Sequence, residues 1–175
     1  FEPRAVLANV VKSLEVQARQ KGVLLEGTTA ADVPEEVIGD PGRVRQILLN
    51  IVGNAVKFTE TGTVSVSAWT DSVQDDRITM HFRVIDTGIG ISEEQMTKVF
   101  EPFVQADGSS SRRFGGTGLG LTISRQLVRM MGGKIRVESR QGHGSQFDVT
   151  MVFGVVSDQN SPAVPAAKTP CTPAP

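Results

Sequence analysis

Apolar residues recur at helical spacing, every three or four positions, in three stretches of the chain. The first covers residues 4–20 and ends before a glycine. The second covers 40–58 and opens with an Asp-Pro pair, which suits an N-cap residue followed by a first helical turn. The third covers 118–131 and ends at a pair of glycines. A short further helix is expected after Ser92, because Gln95 stands three residues on as a capping-box partner.

Polar and apolar residues alternate in two pairs of segments, 63–70 with 77–86 and 134–139 with 146–153. Each pair is separated by a short polar or glycine-rich turn, which predicts two antiparallel hairpins, and residues 23–26 are a further strand candidate. Helices and hairpins are mixed without the strand–helix–strand units of a doubly wound sheet. The pattern predicts an α+β fold, a two-layer α/β sandwich. Its mixed, mostly antiparallel sheet would be covered on one face by about three helices.

The composition changes after residue 153, where proline, alanine and threonine dominate and no core can form. Residues 1–153 are therefore predicted to form one domain, and residues 154–175 a flexible linker. The chain has 175 residues and starts at Phe1, without an initiator methionine or a signal-peptide pattern. We expect a fragment of a longer protein.

The net charge is −1 and the pI is about 6.2, so global electrostatics gives no reason to expect nucleic acid as a partner. No apolar run approaches the roughly 20 residues of a membrane helix, and we expect no membrane contact by this domain. The single cysteine, Cys171, excludes an internal disulfide. A cytoplasmic location is the simplest prediction, and membrane anchoring of a full-length protein stays open.

Three polar residues of the second helix, Asn50, Asn54 and Lys57, are spaced four and three apart. At about 100° per residue they share one stripe, which borders the apolar face of the helix. Polar side chains in this position can line a pocket between a helix and a sheet. Two amides and an ammonium group suit a hydrated Mg²⁺ and phosphate oxygens, because Mg²⁺ takes oxygen ligands and keeps several waters. The same pattern also fits an ordinary solvated helix edge.

Two glycine-rich segments follow, and each has a functional and a plain interpretation. The segment from Asp86 to Gly90, Asp-Thr-Gly-Ile-Gly, comes directly after a strand. A carboxylate there can accept a hydrogen bond from an exocyclic amine such as that of adenine, although a strand-ending turn has the same pattern. Residues 115–121 open a helix, whose first N–H groups can bind an anion, although a flexible hinge has a similar composition. This segment matches neither a P-loop nor a dinucleotide-binding motif.

Residues 101–116, between these two segments, are polar and glycine-rich and have no periodicity. A loop of this length inside a compact domain is usually functional or disordered. Phe100 and Phe103, at its start, can hold its hinge onto the core. An arginine near its end, Arg112 or Arg113, can reach a terminal phosphate. A surface loop with incidental charges is the alternative.

In this order the segments resemble the catalytic and ATP-binding domain of sensor histidine kinases. This domain belongs to the wider superfamily of gyrase, heat-shock chaperone, mismatch-repair and histidine-kinase ATP sites. The resemblance covers about residues 1–153 and implies a Bergerat-type ATP-binding fold. The tail that follows resembles the linker to a receiver domain in hybrid kinases. The matching segments are the N box (46–59), the first glycine box (86–90), the F box (100–103), the second glycine box (116–121) and the closing glycine turn (142–147).

The resemblance implies that the domain binds ATP with Mg²⁺. It implies that Asp86 binds the adenine amine and that Asn54 is the Mg²⁺ ligand. The resemblance also implies a catalytic set of Asn50, Lys57 and Arg112. In this set Lys57 neutralises phosphate and Arg112 contacts the γ-phosphate. Arg113 stays open as the alternative to Arg112. The remaining implied nucleotide-binding residues are Gly88 and Gly90 at the adenine end, Phe103 in the F box, and Gly116, Thr117, Gly118, Leu119 and Gly120 around the phosphates.

Asn50 separates two enzymatic interpretations. Hydrolytic members of the superfamily carry a glutamate at this position, and a carboxamide cannot replace it as general base. Histidine phosphorylation needs no such base, because imidazole is itself the nucleophile. We therefore predict transfer of the γ-phosphoryl group of ATP to a histidine. His81 is interpreted as a solvated strand residue and His143 as a turn residue, so the acceptor is expected on a dimerisation domain outside this chain.

The expected partners are ATP and ADP, the dimerisation and histidine-phosphotransfer helices of the same kinase, and a downstream receiver domain. Together they form a two-component signalling system. Three alternatives stay open: a superfamily ATPase or protein-serine kinase, a nucleotide-binding regulatory module without phosphotransfer, and an interaction domain with a vestigial pocket.

Overall fold

The chain folds around a six-stranded sheet in the computed structural model, which describes residues 1–102 and 118–156. The helices are α1 (Pro3–Lys21), α2 (Pro41–Phe58), α3 (Glu93–Lys98) and α4 (Gly120–Met130). The strands are β1 (Val23–Thr29), β2 (Val37–Ile38), β3 (Gly62–Gln74), β4 (Arg77–Asp86), β5 (Lys134–Arg140) and β6 (Gly144–Val155).

The ends of the helices follow the local signals in the sequence. α1 ends where Gly22 adopts the left-handed conformation, with φ of 73°, which costs glycine little. α2 begins where the carboxylate of Asp40 accepts a hydrogen bond of 3.1 Å from the N–H of Arg43. α3 begins with the predicted capping box, in which Ser92 and Gln95 exchange side-chain and backbone bonds. These predictions are confirmed.

The sheet is mixed and mostly antiparallel, as predicted. Its strand order is β1-β3-β4-β6-β2, and β5 pairs with the other end of β6. β1 runs parallel to β3, and every other pairing in the described part is antiparallel. The central strands β4 and β6 pair over the whole length of β4, from Arg77 opposite Gly154 to Asp86 opposite Ser145.

The structure adds details that the pattern did not predict. β2 has only two residues, too few for alternation to be visible, and it pairs with the end of β6. β1 continues to Thr29, beyond the predicted 23–26. β6 continues to Val155, two residues beyond the strand end expected at 153. The linker expected over 154–175 stays a prediction, because residues 157–175 lie outside the described residues.

The core lies between one face of the sheet and the helices. Strands β4 and β6 bury alternate residues on this face, and α1, α2 and α4 cover it. α2 is central, because it packs against both α1 and α4. Each large aliphatic side chain buried there contributes about 1.5–3 kcal/mol. The buried residues of α2 are Val44, Ile47, Leu48, Ile51, Val52, Ala55 and Val56. The polar residues on its edge therefore sit on a firmly held helix.

The other face of the sheet is polar and contains His81. The prediction that His81 is a solvated strand residue is corrected by its contacts there. Its imidazole is not simply solvated, because the Nε2 atom lies 2.7 Å from a carboxylate oxygen of Asp148 and the ring stacks on Trp69. Arg83 donates a hydrogen bond of 2.7 Å to the same carboxylate. The side chain of His81 is only 16% exposed. Alternation along β4 assigns a face to this residue but cannot show its neighbours on β3 and β6.

The helices of the described part of the chain are all too short or too polar to cross a bilayer.

Candidate functional site

The predicted polar stripe of α2 lies where the pattern puts it, at the edge of the buried face. Asn50, Asn54 and Lys57 are each half-buried. The ammonium of Lys21, at the end of α1, donates hydrogen bonds of 2.7 Å to the carbonyls of Val56 and Lys57, which satisfies the last turn of α2. Burial lowers the pKa of Lys57 from its ordinary value. A partly desolvated ammonium attracts an anion more strongly than one in open water.

Asp86 is the last residue of β4, and its side chain points to the core side of the sheet. It is 5% exposed, and its Oδ1 atom accepts a hydrogen bond of 2.9 Å from the N–H of Gly88. Burial raises the pKa of the Asp86 carboxyl, although hydrogen bonds from Gly88 and Ser145 act in the opposite direction. A buried carboxylate of this kind is a strong acceptor for a donor that enters the site.

The glycines after Asp86 allow the turn to pack against other backbone segments. A Cβ atom on Gly88 would lie 2.5 Å from the carbonyl oxygen of Phe58, and the N–H of Ile89 donates to that oxygen at 3.2 Å. Gly90 has φ of +66°, and a Cβ atom there would lie 2.1 Å from the carbonyl oxygen of Arg140. The turn is thus fastened to the C-terminus of α2, which brings Asp86 close to the end of the polar stripe.

Asn50 connects α2 to the start of α4. Its amide nitrogen donates to the carbonyl of Gly120 and to the hydroxyl of Ser124, both at 3.2 Å. The Ser124 hydroxyl also donates to the Gly120 carbonyl at 2.9 Å. The amide nitrogen of Asn50 therefore positions the first turn of α4 in this structure. The side chain cannot serve as a general base that activates water, because a carboxamide has no useful basicity.

The first turn of α4 has the features of an anion site. The side chain of its N-cap residue, Leu119, makes no capping hydrogen bond, and the first turn carries no acidic residue. The first N–H groups of a helix have no partner inside the helix, and the helix dipole adds partial positive charge at that end. Gly118, just before it, has φ of +68°, a conformation that favours glycine. The described end of the second glycine box thus suits a phosphate.

The start of the predicted loop is attached to α4. The carbonyl of Phe100 accepts a hydrogen bond of 3.0 Å from the hydroxyl of Thr122. The guanidinium of Arg125 lies over the Phe100 ring, 5.3 Å from its centroid. The first F-box phenylalanine thus packs on α4, and the hinge expected there stays a prediction. The other predicted residues of this region, Phe103, Arg112, Arg113, Gly116 and Thr117, lie outside the described residues.

The site also contains residues that the sequence analysis missed. Thr122 and Ser124 lie on α4, and Ser139 and Ser145 lie beside Asp86 on β5 and β6. Ser145 had a detectable signal, because it precedes the alternating residues Phe147, Val149, Met151 and Phe153 on the same face. A polar residue on the core face of a strand is a candidate for a site.

The described residues fit a Mg²⁺ ion held mainly by phosphate and water. No group of three or more histidine, cysteine, aspartate or glutamate residues that could hold a metal occurs in the described ranges. Mg²⁺ at phosphate sites usually takes only one or two protein ligands and keeps its waters. Asn54 is suitable, because its amide is half-buried on the same stripe as Asn50 and supplies a neutral oxygen.

The family model of histidine kinase-, DNA gyrase B- and HSP90-like ATPases matches residues 39–154. This range contains α2, Asp86, the start of α4 and the closing glycine turn. The chain therefore belongs to this family of ATPases, and the predicted resemblance to an ATP-binding domain is confirmed.

Within this class the chain is similar to sensor histidine kinases. It is 44% identical over 147 residues to the signal transduction histidine-protein kinase BarA of Escherichia coli (strain K12), which covers 84% of this chain but only 16% of BarA. The solved structure of full-length ShkA in complex with AMPPNP has a TM-score of 0.74 and 33% identity, covering 90% of this chain and 31% of that one. The catalytic domain of histidine kinase ThkA has a TM-score of 0.65 and 26% identity, covering 86% and 92%. These similarities confirm the α+β fold and the histidine-kinase type of the ATPase domain.

Proposed function

We propose that this domain binds ATP with Mg²⁺ and transfers the γ-phosphoryl group to a histidine on a dimerisation domain outside this chain. The observation that carries the proposal is the attachment of both ends of the site to α2. Asp86 lies against the end of α2 through Gly88 and Phe58, and the start of α4 lies against Asn50. From Asn50 to Phe58 the helix rises about 12 Å at 1.5 Å per residue, which suits a base at one end and phosphates at the other.

At the base end, the Asp86 carboxylate accepts a hydrogen bond from the exocyclic amine of adenine. Gly88 and Gly90 allow the backbone of this turn to pack closely on the carbonyl oxygens of Phe58 and Arg140, where a Cβ atom would clash. At the phosphate end, the N–H groups at Gly118, Leu119 and Gly120 bind oxygens and Lys57 neutralises charge. We also assign nucleotide contacts to residues outside the described ranges: Phe103, Gly116 and Thr117 bind the nucleotide, and Arg112 or Arg113 contacts the γ-phosphate.

The proposed reaction is an in-line transfer. An imidazole nitrogen of the acceptor attacks the γ-phosphorus, the bond from that phosphorus to the bridging oxygen breaks, and ADP leaves with the bond's electrons. Asn54 would hold Mg²⁺, and the ion would supply charge neutralisation at the phosphate oxygens. The domain contributes positioning and electrostatic stabilisation, which dominate phosphoryl transfer. Asn50 holds α4 in place and takes no proton.

We infer that the partners are the dimerisation and phosphotransfer helices of the same kinase and a downstream receiver domain of a two-component system. BarA and ShkA are far longer than this chain, which leaves room for such parts. The acceptor is expected elsewhere because neither histidine is suitably placed: His81, on β4, is hydrogen-bonded to Asp148 of β6, and His143 lies in the turn before β6. We place the domain in the cytoplasm, where ATP is available, with no contact to nucleic acid or membrane.

The test is phosphorylation in trans. The domain is mixed with a separately produced dimerisation fragment of a related kinase, Mg²⁺ and γ-labelled ATP. We expect acid-labile label on the fragment, since phosphohistidine is unstable in acid. At an ATP concentration near the wild-type Kd, label should be strongly reduced with Asp86→Ala and with Asn54→Ala. Asn9→Ala is the matched control, because Asn9 is an exposed asparagine on α1, away from the site, and its label should equal that of the wild type.

The other outcomes distinguish the alternatives. ATP binding without label, across several dimerisation fragments, would support a nucleotide-binding regulatory module. Release of phosphate without label would support a simple ATPase. Absence of ATP binding would contradict the proposal altogether.

Asn54→Ala is expected to weaken ATP binding about tenfold or more in the presence of Mg²⁺ and to have little effect in EDTA. The reason is that the amide oxygen contributes through the ion and not through the nucleotide. Titration calorimetry with ATP in the two conditions measures the difference. An equal loss of affinity with and without Mg²⁺ would show that Asn54 contacts the nucleotide directly.

A further inference from the structure

The hydroxyl of Ser139, on β5, is the centre of a small hydrogen-bond cluster next to Asp86. It accepts a bond of 2.8 Å from the N–H of Ile91, just after the first glycine box. It also lies within donating distance of the Gly144 carbonyl, at 2.8 Å, and of the Ser145 hydroxyl, at 3.0 Å. Ser139 thus contacts the turn that follows Asp86 and the strand that pairs with it.

Strand register puts Asp86, Ser145 and Ser139 in one row across three strands. Asp86 lies opposite Ser145, and Ser145 lies opposite Ser139. Directly opposite residues share one face of a sheet and have Cβ atoms about 4.5–5.5 Å apart. All three side chains are on the core side, where Asp86 and Ser145 are buried and Ser139 is half-buried. The Asp86 carboxylate and the Ser145 hydroxyl are therefore largely shielded from water, and the Ser139 hydroxyl is partly shielded.

Each hydroxyl has one hydrogen to donate, and that of Ser139 has two acceptors within reach, the Gly144 carbonyl and the Ser145 hydroxyl. Ser145 lies directly opposite Asp86 in the pairing of β4 with β6, and hydrogen bonding from its backbone and side chain acts to lower the pKa of the Asp86 carboxyl. When its hydroxyl hydrogen points to the carboxylate, its oxygen is free to accept, and the Ser139 hydroxyl is in place to donate. A chain of hydroxyls that ends on a charge is polarised in one direction, which strengthens each bond.

We infer that Ser139 is a positioning residue for base recognition. Its hydroxyl orients the Ser145 hydroxyl towards Asp86 and holds the loop at Ile91 against β5. The inference rests on the proposed function, in which Asp86 accepts the amine of adenine. Without the Ser139 hydroxyl, Ser145 can turn away from the carboxylate. The pKa of Asp86, which burial already raises and Ser145 lowers, then rises further.

The test compares ATP with inosine triphosphate, which carries an oxo group in place of the exocyclic amine. Calorimetry on the full chain is carried out for wild type, Ser139→Ala and Ser139→Thr. We expect Ser139→Ala to weaken ATP about fivefold, as befits one hydrogen bond, and to leave the inosine nucleotide unchanged. Ser139→Thr keeps the hydroxyl and should bind ATP as the wild type does. Ser65→Ala is the matched control, an exposed serine on β3.

Two further measurements distinguish a positioning role of Ser139 from a purely structural one. The acidic limb of ATP binding, where the Asp86 carboxyl becomes protonated, should move to higher pH in Ser139→Ala. In an Asp86→Asn background, Ser139→Ala should cause no additional loss of ATP affinity. Equal weakening of both nucleotides, or an unmoved pH profile, would overturn the inference and leave Ser139 as a fold residue. Wild-type ATP affinity in Asp86→Asn alone would instead overturn the proposed base recognition, and the inference with it.

Discussion

Asp86→Asn is expected to lower ATP affinity about 10- to 100-fold while leaving the fold at least as stable as that of the wild type. A hydrogen bond to a charged group contributes about 1.5–3 kcal/mol, and asparagine replaces one acceptor oxygen with a donor that faces the amine of adenine. The loss should appear as weaker binding by calorimetry at neutral pH. A similar affinity in both proteins would show that Asp86 does not recognise the base.

The stability part of this prediction follows from the direction of the pKa shift. Burial raises the pKa of Asp86 above its ordinary value, so the folded state binds the proton more tightly than the unfolded state. Stability therefore falls as the pH rises from the ordinary value to the raised one, and the penalty is complete above that window. Asparagine carries no charge and avoids the penalty. The variant should lose this part of the pH dependence in chemical denaturation.

Asp148→Asn is the matched control, because Asp148 lies on the other face of the sheet. Burial acts to raise its pKa, but hydrogen bonds from Gln146, Arg83 and His81 and the charge of Arg83 outweigh burial and lower it. A lowered pKa contributes stability above the ordinary pKa that is lost as the pH falls through the folded value. Asp148→Asn should therefore lose stability at neutral pH and keep its ATP affinity. The two substitutions are expected to have opposite effects.

Gly144→Ala is expected to destabilise the fold by about 3 kcal/mol and to weaken ATP binding together with it. Gly144 has φ of +89°, and a Cβ atom there would lie 1.9 Å from the backbone carbonyl oxygen of Asp86. The left-handed conformation costs an ordinary residue about 1–2 kcal/mol, and the clash with backbone adds a further 1–3 kcal/mol or so. Relief of the clash must move β4 at Asp86, which displaces the carboxylate from the site.

Gly142→Ala separates the clash from the backbone conformation. Gly142 is in the same turn with φ of +80°, but a Cβ atom there would meet nothing within 4 Å. We expect a loss of only about 1–2 kcal/mol and an unchanged ATP affinity. Denaturant unfolding and ATP titration of both variants measure these effects. Equal losses in the two variants would mean that the turn does not pack on Asp86 as closely as described.

The sequence alone predicted most of the elements, because their signals are local. Helical spacing and caps located all four helices, α1 to α4, of the described part, and alternation located the hairpins of β3 with β4 and of β5 with β6. The same local signals found the site's main polar residues: the stripe on α2 is set by helix geometry, and Asp86 by its place at the end of a strand before glycines. The chemistry of the candidate site could be predicted from the sequence, because residue type and spacing limit what a carboxylate or an open helix N-terminus can bind.

Only the tertiary structure decided which of these residues meet and what they are bonded to. The place of Asn50 in the catalytic set stays a prediction, and only the tertiary structure shows that its amide nitrogen bonds Gly120 and Ser124, 70 and 74 residues away. The strand pattern predicts a solvated His81, whereas the structure shows its ring hydrogen-bonded to Asp148, 67 residues away. The row of Asp86, Ser145 and Ser139 exists only because β6 lies between β4 and β5 in one register. Periodicity assigns a residue to a face of its own element, whereas strand order and register depend on how the whole core packs.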